Sequence, residues 1–329
     1  MMSAPRIAVI GCGGHATRNI LPSLRFTEMD LVAVCDINEK AARRCAKRFG
    51  ATRVVTDYHE LLNPDEVDGV MVVVHATLHH KIAVEAMRAG LHVFTEKPPS
   101  MTSAESLAVA RVAAESGRIC MTAFKKRYAP AYVKARRIIM EEMPPGERHL
   151  EYTYNPSHYR MDDPDPAHWF LLDAGIHAID AVRFFMGEVD ELVTYKSGSN
   201  GRESYAIAMQ FADGSVGTLN LSARGTPGKG HELLKVTGDG KTILVENVVN
   251  LAVYRHSGPT DIEWPAYVAS GNWTEVTTGF ACEIQAFERV LREGTAPISD
   301  IESSYRSMVL YEAIRDSDGR VVKLHAPAV

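Results

Sequence analysis

The chain has 329 residues, 46% of them hydrophobic, and a formal net charge of −5 at pH 7. That length supports two domains, each with its own core. The small negative charge, with no long basic or acidic run, argues against nucleic acid as the main partner. Apolar stretches of strand length leave no membrane span.

The first residues run directly into an apolar strand, so no signal peptide is expected. Short apolar runs then alternate with helical patterns: residues 7–11, 31–36, 53–55, 69–74, 91–94 and 118–123 read as strands. They are continuous and rich in β-branched residues, as strands buried on both faces should be. Between them, residues 39–50 have helical period and close on Gly50, and residues 102–117 open with Thr102 and Glu105 at capping-box spacing. This alternation predicts a doubly wound parallel sheet over a first domain, 1–124.

A second domain, 125–329, has a different texture. A helical stretch at 129–143 stops at Pro144-Pro145, a strand follows at 149–155, and a helical pattern at 173–187 closes on Gly187. From 189 to about 264 the pattern is strands in hairpins, and helical segments at 278–293 and 299–317 end the chain. Five cysteines, Cys12, Cys35, Cys45, Cys120 and Cys282, show no CxxC spacing and read as reduced thiols of a cytoplasmic protein.

The first strand runs into Gly11-Cys12-Gly13-Gly14-His15-Ala16, the G-x-G-x-x-G/A spacing of a dinucleotide site. Gly11 permits the tight turn, Gly13 lets backbone approach a pyrophosphate, and Ala16 lets the helix pack on the strand. The helix N-terminus offers N–H groups to the phosphate. Asp36 ends the second strand, where a carboxylate accepts hydrogen bonds from the adenosine ribose and repels a 2′-phosphate. Ile37 follows in place of a phosphate-binding Arg or Ser, so NAD is expected over NADP.

Lys97 lies just past the fifth strand, between Glu96 and the pair Pro98-Pro99. Ligands of a doubly wound sheet bind beyond the carboxyl ends of its strands. A lysine there can stabilise the charge that develops on a hydroxyl oxygen during hydride loss, with Glu96 orienting it or touching the cofactor. Taken alone, Lys97 also reads as a surface lysine in a turn. Asp173 and His177 stand at i and i+4 on one helix face. A histidine can take the hydroxyl proton, and Asp173 can orient it or bind a second hydroxyl. The alternatives are a helix cap and a core histidine, and Asp180 reads as structural.

The glycine loop, the stretch AGLHVFTEKPPS and the helix LLDAGIHAID together resemble the glucose–fructose oxidoreductase / inositol dehydrogenase / MocA (Gfo/Idh/MocA) family. The resemblance implies a Rossmann domain followed by an α/β domain with a large, mostly antiparallel open sheet. It implies that Lys97, Asp173 and His177 are the catalytic set, that Lys97–Pro98 is cis, and that Lys125 faces substrate or nicotinamide while Arg127 is structural. It places His75 and Ala76 near the cofactor, in place of the family's Thr-Pro, and aligns His80 with the family's helix-starting histidine. His75, His79 and His80 lie close together without a carboxylate or cysteine, so no metal is expected. Trp169-Phe-Leu-Leu stands where many members have a glycine run, which should narrow the pocket.

The function expected is an NAD-dependent dehydrogenase acting on a sugar or cyclitol hydroxyl. Asn155, His158, Tyr159, Arg160 and Trp169 are available for hydroxyl bonding and ring stacking. Two other readings are an NAD-retaining glycosidase that works by transient oxidation and a non-catalytic NAD-binding regulator. Apolar residues at period two in the second domain, such as Ile207, Met209, Phe211, Leu219 and Leu221, suggest a homodimer or homotetramer built on its sheet.

Overall fold

The computed structural model describes residues 3–156, 166–226, 228–255, 261–263 and 274–324. The chain divides into two compact units, one of residues 1–125 with 279–305, the other of residues 126–278 with 306–328.

In the first unit, β1 (Arg6–Ile10), β2 (Asp30–Cys35), β3 (Arg53–Val55), β4 (Gly69–Val72), β5 (His92–Thr95) and β6 (Cys120–Thr122) form one sheet in the order β3-β2-β1-β4-β5-β6. Every pair is parallel. The order reverses between β1 and β4, the place where such a sheet opens a crevice for ligands. Helices Glu39–Phe49, His79–Arg88 and Ser103–Ser116 supply the crossovers. The first ends on Gly50 at φ 88°, a left-handed cap that glycine adopts without a Cβ penalty. The last opens with the reciprocal Thr102–Glu105 capping box read from the sequence.

Alternate residues of β1 leave on opposite faces. Ala8 and Ile10 join Val70, Val72, Val93, Ile82, Ala86 and Val109 in one core cluster. On the other face, helix Phe280–Glu293 returns from the far end of the sequence and lays Phe287 against Phe94 at 5.7 Å between ring centroids. Thr122 and Ser299 exchange hydrogen bonds at 2.8 and 2.7 Å, which ties residue 299 to the β6 edge. The first unit is thus discontinuous in sequence, whereas the sequence reading drew one boundary at 124/125.

The second unit carries β7 (His149–Asn155), β8 (Val189–Ser197), β9 (Ser204–Phe211), β10 (Val216–Ser222), β11 (His231–Gly238), β12 (Lys241–Glu246), β13 (Asn250–Arg255), β14 (Asp261–Glu263) and β15 (Val322–Lys323). Among the described residues they form a nine-stranded sheet, ordered β14-β13-β12-β11-β7-β10-β9-β8-β15. Only β7–β10 is parallel; the rest is antiparallel, as expected. Helices Pro130–Glu142 and Ile176–Met186 pack on this sheet. Tyr205, Ile207, Met209, Phe211, Leu219 and Leu221 are buried. Their outward alternates on the two strands include Ala206, Ala208, Val216 and Asn220, all exposed.

Candidate functional site

In the first unit the glycine loop is built as a cofactor cradle. Gly11 has φ 102°, and a Cβ there would lie 2.1 Å from the Val73 carbonyl oxygen, so no side chain fits. A Cβ on Gly13 would meet nothing within 4 Å, which leaves that backbone open to a bulky anion. The helix begins at once: the Thr17 amide donates to the Gly13 carbonyl at 3.0 Å, and Ala16 is fully buried against the sheet.

Asp36 clamps the two turns together. Its Oδ2 accepts from the Cys12 amide at 2.9 Å and its Oδ1 from the Asn38 amide at 2.8 Å. Each oxygen keeps a second lone pair, enough to accept from two ribose hydroxyls. Ile37 beside it is 95% exposed. These groups can take up the ribose of a dinucleotide.

The Lys97–Pro98 bond is cis, as the resemblance implied. Lys97 is half-buried at the carboxyl end of β5, and its amide donates to Glu96 Oε2 at 3.1 Å. The other Glu96 oxygen lies 2.8 Å from His15 Nε2, while Asn19 Nδ2 lies 3.0 Å from His15 Nδ1. Glu96 thus ties the glycine loop to the lysine-bearing corner. Burial pushes its carboxyl up, but His15, Lys97 and His79 together outweigh that and hold it below the usual range.

The histidine locked into this corner is His79, one residue before the one singled out in the sequence. It is buried, with Nδ1 2.7 Å from the Pro98 carbonyl and Nε2 3.1 Å from the Val74 carbonyl. It straps the segment after the cis bond to the exit of β4, and burial lowers its pKa. His80 is half-buried, with Nδ1 4.0 Å from Glu105. His75 is exposed and bonds Thr77 Oγ1 at 3.0 Å, and Ala76 beneath it is buried. Among the described residues no three metal-ligating side chains come together.

Lys125 places its ammonium 3.9 Å over the Phe280 ring. Three residues on, Glu283 is fully buried, and neither carboxyl oxygen has a hydrogen-bond partner. Burial first, then repulsion from Glu96, raises its pKa well above the carboxylate range, with Lys125 offsetting part of that. Glu283 therefore holds its proton to higher pH than an exposed acid does. The sequence reading passed over it, although an acid on the apolar stripe Phe280–Ile284–Phe287 was a visible signal.

In the second unit, Asp173 and His177 do not share a regular helix. Residues Phe170–Gly175 form a π turn, and Ile176–Met186 continues as α-helix. Such bulges recur at functional sites because they re-aim side chains. Both residues are half-buried. Asp180 is structural: it accepts from Arg127 Nε at 2.8 Å and Nη2 at 2.6 Å, and from Ser307 at 2.7 Å. Lys126, which the sequence did not single out, pairs with both Glu232 oxygens at 2.7 and 2.8 Å. Trp169 is buried, at 3% exposure. His158, Tyr159 and Arg160 lie outside the described residues.

Comparison with known proteins agrees with this arrangement. Residues 5–124 match an oxidoreductase family with an NAD-binding Rossmann fold, and residues 152–324 match that family's C-terminal α/β domain. A D-xylose 1-dehydrogenase (NADP(+)) of Haloferax volcanii is 25% identical over 94% of this chain and 96% of its own length. A myo-inositol 2-dehydrogenase of Thermotoga maritima is 27% identical over 74% of this chain and 75% of its own. Among solved structures, a dehydrogenase from Chromobacterium violaceum superposes with a TM-score of 0.87 at 22% identity, covering 96% of both chains. A levoglucosan dehydrogenase in complex with NADH and levoglucosan superposes at 0.86, with 20% identity over 98% of this chain and 99% of that one. With both of its domains matched and the cofactor cradle intact, the chain belongs to the Gfo/Idh/MocA oxidoreductase family.

Proposed function

We propose that this chain is an NAD-dependent dehydrogenase that moves a hydride between nicotinamide and a hydroxyl-bearing carbon of a sugar or cyclitol. The observation that supports it most is the corner at the end of β5, where Lys97 is tied through Glu96 to the glycine loop. When bound there, NAD supplies the hydride acceptor. The protein handles the proton and the charge. A ring nitrogen of His177 takes the hydroxyl proton, Lys97 Nζ stabilises the oxygen as negative charge grows on it, and Asp173 orients the substrate and the imidazole. The Asp36 carboxylate sets a preference for NAD over NADP.

The D-xylose and myo-inositol relatives are dehydrogenases, which favours net oxidation over a retained-NAD glycosidase or a regulator. The five cysteines are free thiols, and among the described residues no helix can cross a membrane; both fit a cytoplasmic enzyme. A homodimer or homotetramer through the second sheet is supported by Tyr195, Val216, Tyr254 and Ile262, which are 45–64% exposed on its open face. The test is a panel of sugars and inositols offered with NAD and with NADP, read as reduced nicotinamide. Reduced cofactor should form with at least one polyol, faster with NAD. Sugar cleavage without net reduction would favour the glycosidase.

A further inference from the structure

The far end of β7 carries a cross-strand row: Tyr154 pairs with Glu232 of β11 on one side and Leu221 of β10 on the other, and Leu221 pairs with Tyr205 of β9. The π turn Phe170–Gly175 lies across that row. Phe170 stacks on Tyr205 at 6.1 Å with planes 15° apart, and a Cβ on Gly175 would touch Leu221 at 3.4 Å. Asp173 belongs to this turn, and its charge is felt at Tyr154.

Three tyrosines surround Glu232, and they are used differently. Tyr132 and Tyr152 both donate their hydroxyls to Glu232. Tyr154 instead has its ring held by the Lys126 ammonium, 4.0 Å from the ring centre, with Lys126 itself fixed on both Glu232 oxygens. Its hydroxyl makes no hydrogen bond to any described residue, and the side chain is half-buried. A phenol with an enclosed ring usually finds a polar partner for its O–H. Here the protein spends a buried ion pair on fixing the ring and leaves the hydroxyl for a ligand.

We propose that Tyr154 is a specificity-determining residue whose hydroxyl hydrogen-bonds a substrate hydroxyl next to the one held by Asp173. The assignment rests on the dehydrogenase reading above. A phenol both donates and accepts, so it matches a second hydroxyl of a vicinal diol, which is the feature that separates polyols from simple alcohols. Lys126 and Glu232 are then positioning residues that act through the Tyr154 ring.

The experiment compares the full-length protein with Tyr154→Phe, using myo-inositol, its monodeoxy analogues and D-xylose with NAD. Removing one hydroxyl from a site built to bond it should raise KM about tenfold or more and lower kcat by less. NAD affinity and thermal midpoint should not move, which separates the effect from misfolding. One deoxy analogue, lacking the contacted hydroxyl, should show nearly the same KM with both proteins. Unchanged KM for every polyol that wild type oxidises overturns the assignment and leaves the dehydrogenase reading standing. A KM rise of the same size for every deoxy analogue also overturns it, because no single hydroxyl is then read. Failure of wild type to reduce NAD with any member of the panel overturns both.

Discussion

Asp36 and Glu283 show how a carboxyl takes different roles by environment. Asp36 accepts from two backbone amides, and its remaining lone pairs can take ribose hydroxyls. Asp36→Ala should shrink the ratio of NADP to NAD dissociation constants, measured by fluorescence titration. For the chemistry, general-base catalysis contributes about 10²–10⁴-fold, and His177→Ala should lower single-turnover hydride transfer by that order. Lys97→Ala should cost at least as much, and NAD binding should change little in either variant. Transfer at the wild-type rate across the pH range would make His177 a core residue only. Glu283 differs: neither of its oxygens has a hydrogen-bond partner, and burial, then Glu96, raise its pKa. Its folded pKa is raised, so the folded state keeps a proton that the unfolded chain releases above about pH 4.3. Stability from this group is therefore full at low pH and lost as pH rises through the folded value. Glu283→Gln cannot titrate, so urea midpoints at pH 5 and pH 8 should differ less in the variant than in wild type. An unaltered difference would show that Glu283 does not carry this proton.

At the scale of elements, local chemistry and packing divide the work. Helix Ser103–Ser116 was legible because its cap is local: Thr102 accepts from the Glu105 amide at 3.2 Å and Glu105 bonds back at 3.3 Å. Thr102→Ala should therefore cost about 1 kcal/mol by urea denaturation, without affecting NAD affinity. The turn Phe170–Gly175 was not legible. The spacing of Asp173 and His177 suits a regular helix, and nothing in residues 173–177 announces a π turn. Gly175 lies close over Leu221 and Phe170 stacks on Tyr205, so contacts with strands distant in sequence accompany the wider turn. The same holds for His79 and His80. Adjacent histidines look alike in sequence, and only the Pro98 and Val74 carbonyls distinguish the one that is buried.

For the whole molecule, the open face of the second sheet makes the prediction. Apolar residues at period two, Ile207, Met209 and Phe211 among them, suggested a sheet with one face under helices and the other against a partner; those three are buried, and the face left open carries Tyr195, Val216, Tyr254 and Ile262. Sedimentation at micromolar concentration should show a dimer or tetramer, and Val216→Glu with Ile262→Glu should shift it toward monomer. A monomeric wild type would remove the sheet as an interface.

The sequence alone determined the parallel strands of the first unit, the glycine loop with Asp36, and the setting of Lys97. Those features are written in contiguous residues: a run of apolar side chains, a loop spacing, a proline pair. Only the tertiary structure decided which unit owns helix Phe280–Glu293, whose apolar stripe would suit either sheet until Phe287 meets Phe94. It likewise decided that the pKa of Glu283 is raised, since that depends on burial and on the charge of Glu96, far away in sequence. It also brought Glu232, Lys126 and Tyr154 together from three separate segments, an arrangement no local pattern records because strand order, and not sequence distance, sets it.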